Sequence, residues 1–214
     1  MHDLTGDSQF ENLAIQGTDF VNAHQTPNGY WKYPNPEWKH RIATVEGCIG
    51  SLALVESYRR TGQQKYLDGA EKFYQYLLSE IGFRKQDHPS MLAVNYFAGT
   101  PGDGGGVPNN STLLLWMLGE LFDATGRQEY LEHCQPMINW LEHVQLDSGE
   151  LPYALGKTAE KDRVHFLCYQ YNAFEYLDLA HYYHRTKNQT VLPIIERLAS
   201  YLSNGFTNRG ACRY

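Results

Sequence analysis

The sequence predicts an all-α fold of antiparallel helical hairpins: about three hairpins, preceded by an N-terminal helix. Three observations carry this. The segments SYRRTGQQKYL (57–67), LFDATGRQEYL (121–131) and YYHRTKNQTVL (182–192) line up at spacings of about 64 and then about 61 residues. Each lies between two stretches whose apolar residues recur at three and four, as in Leu67, Ala70, Phe73, Tyr74 and Leu77. A third pattern, described below, repeats where the second helix of a hairpin ends.

Taken in order, the leading helix lies near 8–25. The first helices of the hairpins cover roughly 43–61, 109–125 and 166–186, and the second helices roughly 63–82, 127–146 and 189–204. Gly62 and Gly126 stand where a left-handed residue would end a helix. Pro136 and Pro193 fall inside second helices and should kink or delay them. Turns within hairpins are short. The loops before first helices are long, at about 28–42, 83–108 and 147–165.

The third pattern is a staple. Phe20-Val21 is followed by Gly29 and then Tyr33; Trp140-Leu141 by Gly149 and Tyr153; Tyr201-Leu202 by Gly210 and Tyr214. Gln25 and Gln145 occupy equivalent places, with Phe206 in the last copy. The copy after Tyr76-Leu77 is degenerate, because Lys85 stands at the glycine position. Glycine permits the turn out of the helix, and the glutamine can bond orphan carbonyls or the neighbouring repeat. The aromatics are expected to pack, so the staple reads as structural.

Composition narrows the function. The 214 residues carry a net charge of −6 and a pI near 5.8, with 42% hydrophobic residues, which fits one globular domain over 1–214. No Lys/Arg run is available to neutralise phosphates, so nucleic acid is not expected as a partner. No stretch approaches the length of a membrane span, and the N-terminus lacks a signal-like apolar core. The four cysteines are widely spaced and read as single buried thiols, which makes the cytoplasm the default compartment.

The segment FVNAHQTPNGYW resembles the QW repeat of terpenoid cyclases. Related Q…G-x-W endings occur in other α/α toroids, including six-hairpin glycosidases, unsaturated-glucuronyl hydrolases and uronyl epimerases, and ALVESYRRTGQQKYLDGAEKFYQYLL is similar to their hairpins. The resemblance implies a partial α/α toroid, with first helices lining the inside and the long loops forming a functional rim. The DxDD motif of squalene-type cyclases is absent, as are lanthionine-cyclase-like zinc motifs. Such toroids usually close with five to seven hairpins. The expectation is therefore a larger ring, or one that covers its apolar faces by self-association.

Aligning the first helices on Thr61, Thr125 and Thr186 superposes Val45, Asn109 and Gln170; Glu46, Asn110 and Tyr171; and Gly47, Ser111 and Asn172. One turn deeper, Ile49, Leu113 and Phe174 coincide, giving a polar entrance above an apolar layer. Helix capping would also place Asn and Ser there. Among acids, Glu46 is the sharpest candidate, near His40 and Arg41, with Asp103 and Asp162 on other loops. Two carboxylates facing one sugar could act as general acid and base, whereas a first-turn glutamate can also simply stabilise its helix.

Trp38, His40, Arg41, Tyr96, Asn110, His165 and Tyr171 are the candidate substrate contacts. The glycine-rich stretch LAVNYFAGTPGDGGG lacks a phosphate-loop signature and reads as a loop. His165, Cys168, His181 and His184 spell out no ligand set, so neither a metal nor a cofactor is expected.

The leading expectation is a carbohydrate-processing enzyme acting as a hydrolase, lyase or epimerase on a small-molecule or oligosaccharide ligand. The alternatives are an isoprenoid enzyme like the terpenoid cyclases, and a non-catalytic binding module.

Overall fold

The computed structural model describes residues 2–33, 35–38, 40–86, 88–99, 106–153, 155 and 168–206. It contains α1 (His2–Thr5), α2 (Ser8–Ala23), α3 (Thr44–Thr61), α4 (Gln64–Tyr76), α5 (Pro108–Thr125), α6 (Cys134–Val144), α7 (Cys168–Thr186) and α8 (Leu192–Asn204). Helices α3, α5 and α7 pack side by side as an inner layer, with α5 in the middle. Helices α2, α4, α6 and α8 form the outer layer. The architecture is an α/α toroid sector, as the repeats predict.

One device ends each inner helix. The hydroxyls of Thr61, Thr125 and Thr186 donate to the carbonyls of Ser57, Leu121 and Tyr182 at 2.7–2.8 Å. Each hydroxyl also accepts an amide from the residue two places on. The intervening residue turns left-handed: Gly62 at φ 68°, Gly126 at φ 73°, and Lys187 at φ 56°. Lys187 therefore does without glycine what the first two turns do with it. The backbone bond back to the helix, from its N–H to the Tyr183 carbonyl, is kept.

The outer helices start as expected for proline-bearing segments. Gln128–Leu131 and Gln189–Val191 form short 3-10 turns before α6 and α8 begin, so Pro136 and Pro193 fall within the first turn of a regular helix, where a missing N–H is harmless.

The core lies between the layers. Trp140, Tyr66, Tyr130, Phe73, Leu114, Leu118 and Leu121 are fully or almost fully buried in it, together with the thiols of Cys48 and Cys134. Helix α3 lies so close to α4 that a Cβ on Gly47 would overlap the Phe73 ring.

The staples act across the outer layer. The amide of Gln25 donates both to the Gly29 carbonyl and to Gly69 on α4, each at 2.8 Å. Gln145 repeats this with Gly149 at 2.8 Å and Ile194 on α8 at 3.1 Å. One side chain thus closes its own turn and grips the next outer helix. After α4, where the motif is degenerate, the helix instead ends in a π turn (Leu77–Ile81). A short hairpin follows, in which β1 (Phe83–Lys85) pairs antiparallel with β2 (Leu92–Val94). This hairpin was not anticipated as such, and β2 packs on α6.

Candidate functional site

The site is the end of the inner layer where α3, α5 and α7 begin. Helix α3 is seated by Thr44, whose hydroxyl donates to the Asn95 carbonyl at 2.7 Å while its amide bonds to Tyr96. These bonds bring the loop holding Tyr96 and Phe97 over the first turn of α3. Ala43 completes the seam as a bridge to Phe97.

Glu46 projects from that first turn. It is half-buried, its Oε2 has no hydrogen-bond partner, and burial raises its carboxyl above the usual range. Tyr96 is also half-buried. Its phenol is pushed up to about 12, chiefly by burial, with smaller contributions from Tyr153, Tyr33, Glu46 and Tyr171. All four therefore lie within electrostatic reach of Tyr96. Tyr153 and Tyr171 are in direct edge contact, centroids 5.0 Å apart, and their phenols are hydrogen-bonded.

The staple tyrosines Tyr33 and Tyr153 thus belong to the rim, not only to the packing their motif implied. The signal was present in their place within the long loops. Trp31 packs as expected: its indole N–H donates to Val21 at 2.8 Å, and its ring lies over Gly50.

Next to this cluster stands a cation–aromatic stack. The Arg41 guanidinium lies 4.7 Å from the Phe97 ring and 5.3 Å from that of Trp38. Trp38 also stacks on Tyr33 at 5.9 Å. His40 is exposed beside them.

Asn110 departs from a surface contact. It is only 1% exposed, and both its amide atoms lack partners. Capping does not explain it, since the cap of α5 makes no side-chain bond. Asp103, Asp162 and His165 lie outside the described residues.

The sequence reading missed a set of buried acids behind the rim. Asp178 on α7 accepts from the Thr112 hydroxyl at 2.9 Å, and burial pushes it up to about 7. Glu175 is 1% exposed, and burial, followed by the charges of Asp178 and Glu150, holds its carboxyl well above the ordinary range. Glu150, in the loop after α6, is also buried. Asn172 ties that loop to α7, accepting from the Leu151 amide at 2.7 Å and donating to its carbonyl at 3.1 Å. A polar residue at successive inner positions of α7 was the available clue. Among the described residues, no group of three or more His, Cys, Asp or Glu is placed to hold a metal ion.

One turn below the mouth the surface becomes apolar, as the aligned layers predict. Ile49 and Phe174 are 57% and 53% exposed, and Leu177 lies beyond them. A separate groove of about 610 Å³ runs along the outer face of α4. Within it Arg127 is ion-paired with Glu71, which also accepts from the Tyr130 hydroxyl.

No protein-family model matches the chain, and no curated protein matches it. Solved structures do. A glycoside hydrolase family 76 α-mannanase, BT2949 of Bacteroides thetaiotaomicron, superposes with a TM-score of 0.70 at 14% identity, covering 99% of this chain and 56% of that one. A sugar epimerase from a ruminal bacterium gives 0.70 at 14%, covering 89% and 53%. The unsaturated glucuronyl hydrolase of Bacillus sp. GL1 gives 0.67 at 13%, covering 96% and 59%. The likeness establishes the six-hairpin-glycosidase-like α/α toroid fold, and this chain spans less than two thirds of each of these neighbours.

Proposed function

We propose that the protein processes carbohydrate at the rim formed by the loops before α3, α5 and α7. The observation that carries this is Glu46: a half-buried carboxyl with an unpartnered oxygen, within electrostatic reach of Tyr96. Burial raises its carboxyl above the usual range, the direction that suits a general acid. Tyr33, Tyr96, Tyr153, Tyr171 and Trp38 offer ring faces for stacking and phenols for hydrogen bonds to sugar hydroxyls. Asp103 and Asp162, in the segments leading to α5 and α7, are the proposed partner carboxylates.

The resemblance to a mannanase, an epimerase and a glucuronyl hydrolase supports a sugar ligand while leaving hydrolysis, elimination and epimerisation as separate chemistries. The apolar layer below the mouth is half-exposed and mostly aliphatic, which favours this reading over an isoprenoid pocket. We further propose that the opposite wall of the cleft comes from additional helices or from a second copy.

The test is turnover and binding with α-mannooligosaccharides, unsaturated glucuronyl disaccharides and free hexoses. Glu46→Gln should reduce turnover at least ~100-fold while sugar binding persists. Full activity in that variant would sink the assignment. Binding without turnover in the unaltered protein would favour the non-catalytic module.

A further inference from the structure

The two complete staples form an internal comparison. After α2 the chain reads Gly29-Tyr30-Trp31, and after α6 it reads Gly149-Glu150-Leu151. In the first copy Tyr30 packs on Tyr76 with centroids 4.9 Å apart. Trp31 fills the space over Gly50, where a Cβ would lie 3.0 Å from the indole. Counted back from Thr61 and Thr186, Gly50 corresponds to Glu175. The second copy therefore carries Glu150 in place of Tyr30 and Glu175 in place of Gly50.

Everything else that holds the staple is retained. Gln145 makes the same pair of bonds as Gln25, and Gly149 is as tightly placed as Gly29, a Cβ on either lying within 2.4 Å of a backbone oxygen. The first copy shows that an apolar filling suffices. Two buried acids are not needed to hold the turn, and each has a side-chain oxygen without a partner. They are 7% and 1% exposed.

We propose that Glu150 and Glu175 form a buried acid couple that positions Tyr153 against Tyr171, keeping the loop seated only while Glu175 carries its proton. The inference rests on the sugar-site reading for its catalytic consequence alone; the behaviour of the loop stands apart. The connection is short. Leu151 is bonded at both N–H and C=O to Asn172, which lies one helical turn before Glu175, and Tyr153 follows two residues later.

Among the described residues, the groups around the couple offer no neutralising charge. Helix α7 itself supplies Asp178, α5 supplies the neutral Thr112 bonded to Asp178, and Cys48 of α3 lies buried within reach of that aspartate. The loop supplies Glu150 and Tyr153. The cation that α8 sends to this loop is Arg197, whose guanidinium donates to the Leu146 carbonyl at 2.7 Å. Among the described residues, no Lys, Arg or His is ion-paired with Glu150, Glu175 or Asp178. Ionising Glu175 therefore puts a charge with no ion-pair partner among the described residues into a buried acidic pocket, and admitting water requires the loop to lift. Because its folded carboxyl is raised, the seated loop is favoured at low pH and released as pH rises through that value.

Hydrogen exchange on the whole protein between pH 6 and 9, corrected for the intrinsic pH dependence of exchange, tests this. Residues 146–153 should lose protection by about tenfold or more relative to 26–33, since one pH unit beyond the transition is one decade in the open population. Glu175→Gln, which mimics the protonated acid, should abolish the difference. Equal behaviour of the two staples, or a Gln variant that still loses protection, overturns the proposal. If Glu175→Gln fails to fold, Glu150→Gln is read instead: with the Glu150 charge that helps hold the Glu175 proton removed, the midpoint should move downward, and an unchanged midpoint overturns the proposal. With active protein, Glu175→Gln should broaden the pH profile of KM towards high pH. Loss of the sugar reaction under conditions where the exchange result holds counts against the sugar site and not against the couple.

Discussion

At the scale of single residues, the two classes of glycine separate cleanly. Gly29 and Gly149 have φ of 96° and 91°, and a Cβ would lie 2.4 and 2.3 Å from the Lys72 and Arg197 carbonyl oxygens. Gly29→Ala should cost at least ~3 kcal/mol in chemical denaturation, because left-handed strain and backbone overlap add. Gly62→Ala meets nothing within 4 Å, so it should cost only the ~1–2 kcal/mol of the left-handed conformation. Asp178 gives a second prediction. Its carboxyl rises from 3.8 to about 7 on folding, so its contribution is complete below pH 3.8 and is lost as pH approaches 7. Asp178→Asn, which can still accept from Thr112, should flatten that decline, a difference on the order of 4 kcal/mol across the range. Part of the rim was legible at this scale: Glu46 and Tyr171 come from the alignment of the first helices, and Tyr96 from its place in a long loop. Glu175 was not: Asn172, Glu175 and Asp178 do recur at a spacing of three, but a polar stripe on a helix ordinarily marks a solvated face and not a buried one.

At the scale of elements, the far end of the inner layer is held by charge. Glu120 on α5 is 6% exposed and is ion-paired with Arg59 of α3 and Arg185 of α7, while the Trp116 indole donates to it at 3.0 Å. One carboxylate thereby joins all three inner helices. Glu120→Ala should destabilise by ~3 kcal/mol in thermal or urea melts, since two partly buried guanidiniums lose their shared partner. The helices, their order and their turns followed from apolar spacing and the Thr-Gly signals. The β-hairpin did not, because strands of three residues are too short for alternation to show. The dual grip of Gln25 and Gln145 was half legible: the glutamine repeat was visible, but the pairing of own carbonyl with next-helix carbonyl required the packed outer layer.

For the whole molecule, the inner face shows which surfaces the chain leaves open. Ile49→Ser should change stability by no more than ~0.5 kcal/mol, because the side chain is already more than half in water. Leu114→Ala, fully buried on α5, should cost ~2–5 kcal/mol. The contrast measures how far the described core ends short of the concave side. If that face is covered by a second copy, sedimentation should give twice the chain mass, and Ile49→Glu should return it to monomer. A stable monomer with Ile49 and Phe174 freely solvated would leave only further helices to complete the ring. A last consequence concerns the seam after α4. Where the glutamine staple is missing, the outer layer is carried across by a short β-hairpin, not by a side-chain hook. Nicking the chain between β1 and β2 therefore severs no staple. The two pieces still share the α3–α5 packing and the Glu120 ion pair with Arg59. The protein carries its own split point, at which two separately expressed halves should find each other and restore the same rim.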